Sequence, residues 1–211
     1  MVLVCRYCSY GTIIMATLGL QLKLCLAQAT LKYIIMSNTT ANPSDGAAEI
    51  AAIVRKETRN NIVINIVING AIAYFTLKGA EQITLGGDKG YAKDLVISAF
   101  LLSTILGGIF LGMFRHRRKT GQLHPQGHEG QALAWLIPYN PWLAAPWIGV
   151  LAACTAAPLL MGILLLFGAE TLPPNAYAVI KALWAGALAG IILPIAIMQG
   201  LRSPAKTKDE S

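Results

Sequence analysis

Asn61, Asn65 and Asn69 recur every four residues inside a run that otherwise reads as hydrocarbon. On a helix this spacing puts all three on one face. An amide without a partner in lipid is costly, so the stripe must meet protein or water. Asn69 lies nine residues before Lys78, and Ser103 lies nine residues after Asp94, with Thr104 beside it. In an antiparallel hairpin these groups share a depth. The stripe therefore either bonds the first two helices together, at about 0.6 kcal/mol per contact, or lines a path for a polar solute or ion. Bonding between the helices is the expectation.

Other chemistry-bearing residues are sparse. His124 and His128 are four apart with Glu129 adjacent, and His116 precedes them. One metal would suit that spacing on a helix, but Pro125 and Gly127 argue against a helix there. Cys5 and Cys8 have CxxC spacing without a second pair, which is a weak metal or redox signal. Cys25 and Cys154 stand alone. The sequence holds no serine–histidine–acid order, no phosphate-binding glycine loop and no paired intramembrane carboxylate. The expectation is a protein with no catalytic residues, no metal and no cofactor. Without a deep acidic residue, a proton-coupled carrier or an intramembrane aspartyl enzyme is disfavoured.

The elements that position these groups follow from composition. The 211 residues are 55% hydrophobic and 13% charged, against about 25% charged in soluble domains. Residues 60–77, 95–114, 130–169 and 182–201 carry no charge. About 20 residues of helix cross the hydrocarbon layer. Spans are predicted at roughly 60–78, 94–114, 145–168 and 177–200, the third starting late because Pro138, Pro141 and Pro146 interrupt its block. The predicted fold is an all-α integral membrane protein with four transmembrane helices arranged as two hairpins. Its domains are a leader at 1–35, a cytoplasmic amphipathic segment at 36–59, the four-helix region at 60–201 and a charged tail at 202–211. In the amphipathic segment Asn42 caps a helix, Pro43 and Asp45 suit its first turn, and Ala47, Ile50, Ile53 and Val54 share an apolar side along the membrane surface.

Basic residues set the orientation. Arg55, Lys56, Arg59, Arg115, Arg117, Arg118, Lys119, Arg202, Lys206 and Lys208 fall on one side, and Lys78, Lys89, Lys93 and Lys181 on the other. The richer side is expected to be cytoplasmic. There Arg115, Arg117, Arg118 and Lys119 are expected to meet anionic lipid headgroups. Trp135, Tyr139, Trp142 and Trp147 suit the same level, so residues 131–143 should lie in the interface. The net charge of +7 thus reads as a topology signal, and nucleic acid is a poor partner for it.

The leader admits three readings. The functional chain begins at Met36, or residues 11–35 insert, or a signal is cleaved near Ala27 and Ala29. Insertion would place Lys23 near mid-membrane at a cost of about 2.5–3.5 kcal/mol. Cleavage would put Arg55, Lys56 and Arg59 on the wrong side.

An internal repeat is also visible. Gly79-Ala80-Glu81, Thr84-Leu85 and Tyr91-Ala92 match Gly168-Ala169-Glu170, Thr171-Leu172 and Tyr177-Ala178. Two such hairpins would have parallel topology. Small residues at Gly108 and Gly112, and at Ala182, Gly186 and Gly190, have helix-packing spacing, expected within the chain. Pro158 and Pro194 are expected to kink the last two spans.

The pattern resembles small bacterial membrane proteins in a general way, a resemblance that supplies no activity; the expected location is the bacterial inner membrane. A non-catalytic accessory, assembly or regulatory membrane subunit is the expected function, in a homo-oligomer or larger membrane complex. A small-solute or ion transporter using the asparagine stripe is the alternative. A histidine-based enzyme comes third.

Overall fold

The computed structural model describes residues 46–87, 90–123 and 136–202. The leader, the segment 36–45, His124, His128, Glu129, Trp135 and the tail beyond Arg202 lie outside them.

Among the described residues four helices are long and apolar enough to cross a membrane, as expected of an all-α membrane protein. They are α1 (Gly46–Leu77), α2 (Tyr91–Lys119), α3 (Pro141–Leu166) and α4 (Pro174–Leu201). Two short strands, β1 (Ile83–Thr84) and β2 (Thr171–Leu172), sit in the α1–α2 and α3–α4 connections.

The helices outrun the predicted spans, for local reasons. α1 is one helix of 32 residues, about 48 Å at ~1.5 Å per residue. The described part of the amphipathic segment therefore runs unbroken into the first span, as its reading as a helix that continues into that span expects. Ile50, Ile53 and Val54 turn the apolar side of this segment toward the bundle core. α3 starts at Pro141, whose fixed φ suits a first turn, and Asn140 Oδ1 accepts from Trp142 N at 3.1 Å. Pro146 and Pro158 lie inside α3 and Pro194 inside α4. A proline in a membrane helix removes one main-chain bond without ending the helix when neighbours cover the gap.

The packing order adds to the hairpin expectation: the two hairpins are present, but the helices of each are splayed apart. α1 packs along α4, α3 packs along α2, and α2 packs along α4. The helices joined at the ribbon end, α1 with α2 and α3 with α4, scarcely touch each other. α2 and α4 run parallel, because Tyr91 meets Tyr177 at their starts and a Cβ on Gly200 would fall 2.9 Å from Phe114 Cβ near their ends. Exchanging α1 with α3 and α2 with α4 leaves this pattern unchanged. The two halves are thus interleaved about a pseudo-twofold axis, with each first helix resting on the second helix of the other half.

The ribbon follows the same symmetry. Ile83 pairs with Leu172 and Thr84 with Thr171, antiparallel. Leu85 N adds a bond to Glu170 O at 2.8 Å. Gly79 and Gly168 leave α1 and α3 with φ of 90° and 69°, a left-handed exit open to glycine. The bundle accordingly has a ribbon end and, where α2 finishes in Arg117, Arg118 and Lys119, a basic end.

Candidate functional site

The densest polar cluster lies at the ribbon end, between α2 and α4. Lys181 Nζ donates to Asp94 Oδ2 at 2.5 Å. Tyr177 Oη donates to the same oxygen, and Ser98 Oγ donates to Oδ1 at 3.3 Å. Tyr91 Oη donates to the Ala169 carbonyl, and the Tyr91 and Tyr177 rings lie 5.7 Å apart. The Lys181 side chain is only 11% exposed, whereas that of Asp94 is 42% exposed. An ammonium this deep in an apolar bundle requires a counter-charge, and Asp94 supplies it. Lys181 is therefore a buried, paired charge within α4. Ile83, Leu95, Leu164 and Leu172 pack around the two tyrosines. The cluster joins the two halves where they meet the ribbon.

The asparagine stripe is arranged differently from the expectation. Asn61, Asn65 and Asn69 are all buried. Their Nδ2 groups donate to the carbonyls of Glu57, Asn61 and Asn65 at 2.9, 2.9 and 3.0 Å. Each amide thus finds an acceptor one turn back on its own helix. The predicted bond to Ser103 and Thr104 is not made, because α1 lies along α4 and not along α2. Ser103 and Thr104 belong to the α2 packing surface, and their hydroxyl oxygens are buried without a hydrogen-bond partner.

Small residues mark the helix crossings. On α4, a Cβ on Gly186 would fall 2.5 Å from Ile66 Cγ1, and one on Gly190 3.2 Å from Ile62 Cδ1. Ala182 Cβ lies 3.0 Å from where Gly70 would place one. α1 steps along α4 in antiparallel register, with Ile62 and Ile66 filling the glycine groove. On α2, Gly108 faces Ala145, but a Cβ on Gly112 would meet nothing within 4 Å. The tightest crossing is at Gly149 of α3, where a Cβ would lie 2.1 Å from Thr104 Oγ1 and 2.7 Å from the Phe100 carbonyl. Sequence reasoning missed it, although Ala145, Gly149 and Ala153 repeat at a small-residue spacing of four.

At the basic end, the four cations predicted to meet headgroups divide. Arg117 is buried, and its guanidinium carbon lies 5.8 Å from the Phe114 ring centroid. It faces the bundle, which corrects its assignment to lipid. Lys119 is exposed. Arg115 Nη2 donates to the Tyr139 carbonyl at 2.8 Å, and its guanidinium lies 4.3 Å over the Tyr139 ring. Arg118 Nη2 donates to Tyr139 Oη at 3.3 Å. Burial pushes the Tyr139 phenol up, but hydrogen bonds and charge from Arg118 and Arg115 outweigh it and hold the phenol below its ordinary range. Gln199 Nε2 donates to the Ile137 and Pro138 carbonyls at 3.3 and 3.4 Å. Trp147 Nε1 donates to the Leu136 carbonyl at 2.9 Å. Side chains from α2, α3 and α4 therefore fix the segment 136–139.

No family model, curated protein or solved structure matches this chain. Among the described residues no group of three His, Cys, Asp or Glu side chains is placed to hold a metal. The histidine pair of the loop lies outside those residues, as does the Cys5–Cys8 pair.

The sequence reading also missed Asp94 as a site residue. Its signal was present: Asp94 and Lys181 are 87 residues apart, within the span of offsets that the repeat shows. Opposite charges at matching depths of two parallel helices were available to be paired.

Proposed function

We propose that this chain is a non-catalytic accessory, assembly or regulatory subunit of a bacterial inner membrane, multi-pass, with its basic end in the cytoplasm. The observation that carries the reading is how the intramembrane polar groups are used. The asparagine amides bond to their own helix, and Asp94, Lys181 and Tyr177 bond to one another. The Asp94 cluster ties α2 to α4, and the asparagine amides are engaged by their own backbone, which leaves these groups little capacity to bind and release a solute. Large apolar side chains on the outside, such as Val67, Phe75, Leu159, Leu183 and Ile191, offer surface to lipid or to membrane partners, including further copies of the chain. The excess of basic residues at one end supports the orientation.

The test is purification of the full chain in mild detergent, with identification of the proteins that accompany it. A stoichiometric membrane partner is expected. The reading is overturned if the chain purifies alone and, in proteoliposomes, mediates a solute flux that the Asn65→Leu/Asn69→Leu variant loses.

A further inference from the structure

Arg115 and Arg118 are three residues apart on α2, so they project from one face of its last turns. Both reach Tyr139, one stacking on its ring and the other bonding its hydroxyl. Two guanidinium groups gathered on one neutral side chain repel each other. Among the described residues neither has a carboxylate within ion-pair distance. Arg118 Nη1 is buried and makes no hydrogen bond. Among the described residues the arrangement has fixed donors and a surplus of positive charge.

We propose that Arg115, Arg118 and Tyr139 form a specific site for the phosphate group of an anionic phospholipid. The proposal rests on the reading that the basic end meets an anionic leaflet, and it narrows that reading from diffuse attraction to a built site. Planar guanidinium groups match phosphate oxygens through paired donors, which an ammonium does not. Tyr139 lies two residues before Pro141, the first residue of α3, and the positive end of a helix dipole favours an anion nearby. The bonds from Gln199 and Trp147 hold the Tyr139 segment before any ligand arrives. A lipid is favoured over a soluble anion by depth. Trp142, three residues beyond Tyr139, is 86% exposed, and an exposed tryptophan at a span's end belongs to the headgroup layer.

The test uses the full chain in neutral detergent, with retained phosphatidylglycerol and phosphatidylcholine quantified by native mass spectrometry. The wild type should prefer phosphatidylglycerol. Arg115→Gln/Arg118→Gln should lower its retention on the order of tenfold, as loss of charge-assisted bonds implies. Arg55→Gln/Lys56→Gln removes the same charge from an exposed part of the basic end and should change retention less than about twofold, as expected of screened surface charge. Equal losses in the two variants would mean diffuse attraction and overturn the proposal. So would a wild type without lipid preference. Displacement of the lipid by millimolar inorganic phosphate would reassign the site to a free anion, and displacement by a polyglutamate peptide would reassign it to an acidic protein. If the glutamine variant does not fold, Arg118→Lys decides: it keeps the charge and loses the fork, so unchanged retention would sink the proposal. The measurement uses the isolated chain, so a failed search for protein partners leaves its outcome intact.

Discussion

Asp94 and Lys181 form an ion pair at 2.5 Å between two helices that run in the same direction, 87 residues apart in the chain. Because the halves are related by a pseudo-twofold axis, the two residues occupy nearly matching places. A symmetric pair would set like groups against each other. Here one half supplies the acid and the other the base.

The exposures of the pair predict an asymmetry. Asp94→Leu strands an ammonium that is 11% exposed, while Lys181→Met leaves a carboxylate that is 42% exposed and bonded to Tyr177. The first should destabilise by about 3 kcal/mol, the scale for an uncompensated buried charge, and the second by about 1 kcal/mol, as expected nearer the surface. The double variant should recover most of the loss. Unfolding curves in mixed micelles measure all three, and equal single-variant losses would refute the assignment of Lys181 as the buried partner.

Helix order can be tested by crosslinking. In a background whose native cysteines are serine, an Ile62→Cys/Gly190→Cys pair should form a disulfide, since Ile62 Cδ1 lies 3.2 Å from where a Gly190 Cβ would be. An Asn69→Cys/Ser103→Cys pair should not, because α1 does not pack along α2. The reverse pattern would restore the simple hairpins.

The glycines should divide by their surroundings. Gly186→Val drives a side chain into Ile66, whereas Gly112→Ala enters open space. The first should destabilise by about 1–3 kcal/mol through overpacking, and the second should change stability by less than about 1 kcal/mol. Thermal unfolding in detergent distinguishes them, and a tolerated Gly186→Val would mean that α1 does not occupy this groove.

Tyr139 gives a pH prediction. Its phenol is held below the ordinary range by Arg118 and Arg115 against the opposing effect of burial. A depressed folded-state value favours the ionised form, so the stabilisation is present above the unfolded value and is lost as pH falls through the folded one. Difference absorbance near the tyrosinate band should show one phenol ionising ahead of the rest, and Tyr139→Phe should abolish that early component. Its persistence in the variant would assign it elsewhere.

Helix number and approximate limits were legible in the sequence because uncharged blocks of membrane length have few alternatives. The repeat was legible too, through Gly79 and Gly168 and through Tyr91 and Tyr177. Packing order was not. Gly186 and Gly190 announce a close approach without naming Ile62 and Ile66 as what fills it. The asparagine spacing likewise identified a buried face, but one face can bond to a neighbour or to its own backbone, and spacing alone does not choose. Arg117 and Arg118 are adjacent in the chain and face opposite surroundings, a difference set by helix phase against neighbours that a charge count ignores.

The exchange of helices between halves has a consequence for synthesis. α1 is the first described helix to leave the ribosome, and its packing partner α4 is the last. Throughout the intervening translation α1 has no extensive neighbour among the described helices, and its three amides face whatever the membrane offers. A stripe that depended on a second helix would be stranded during that interval. Because each amide donates one bond one turn back, part of its polarity is covered before α4 exists, and the asparagines are compatible with being made early and buried late.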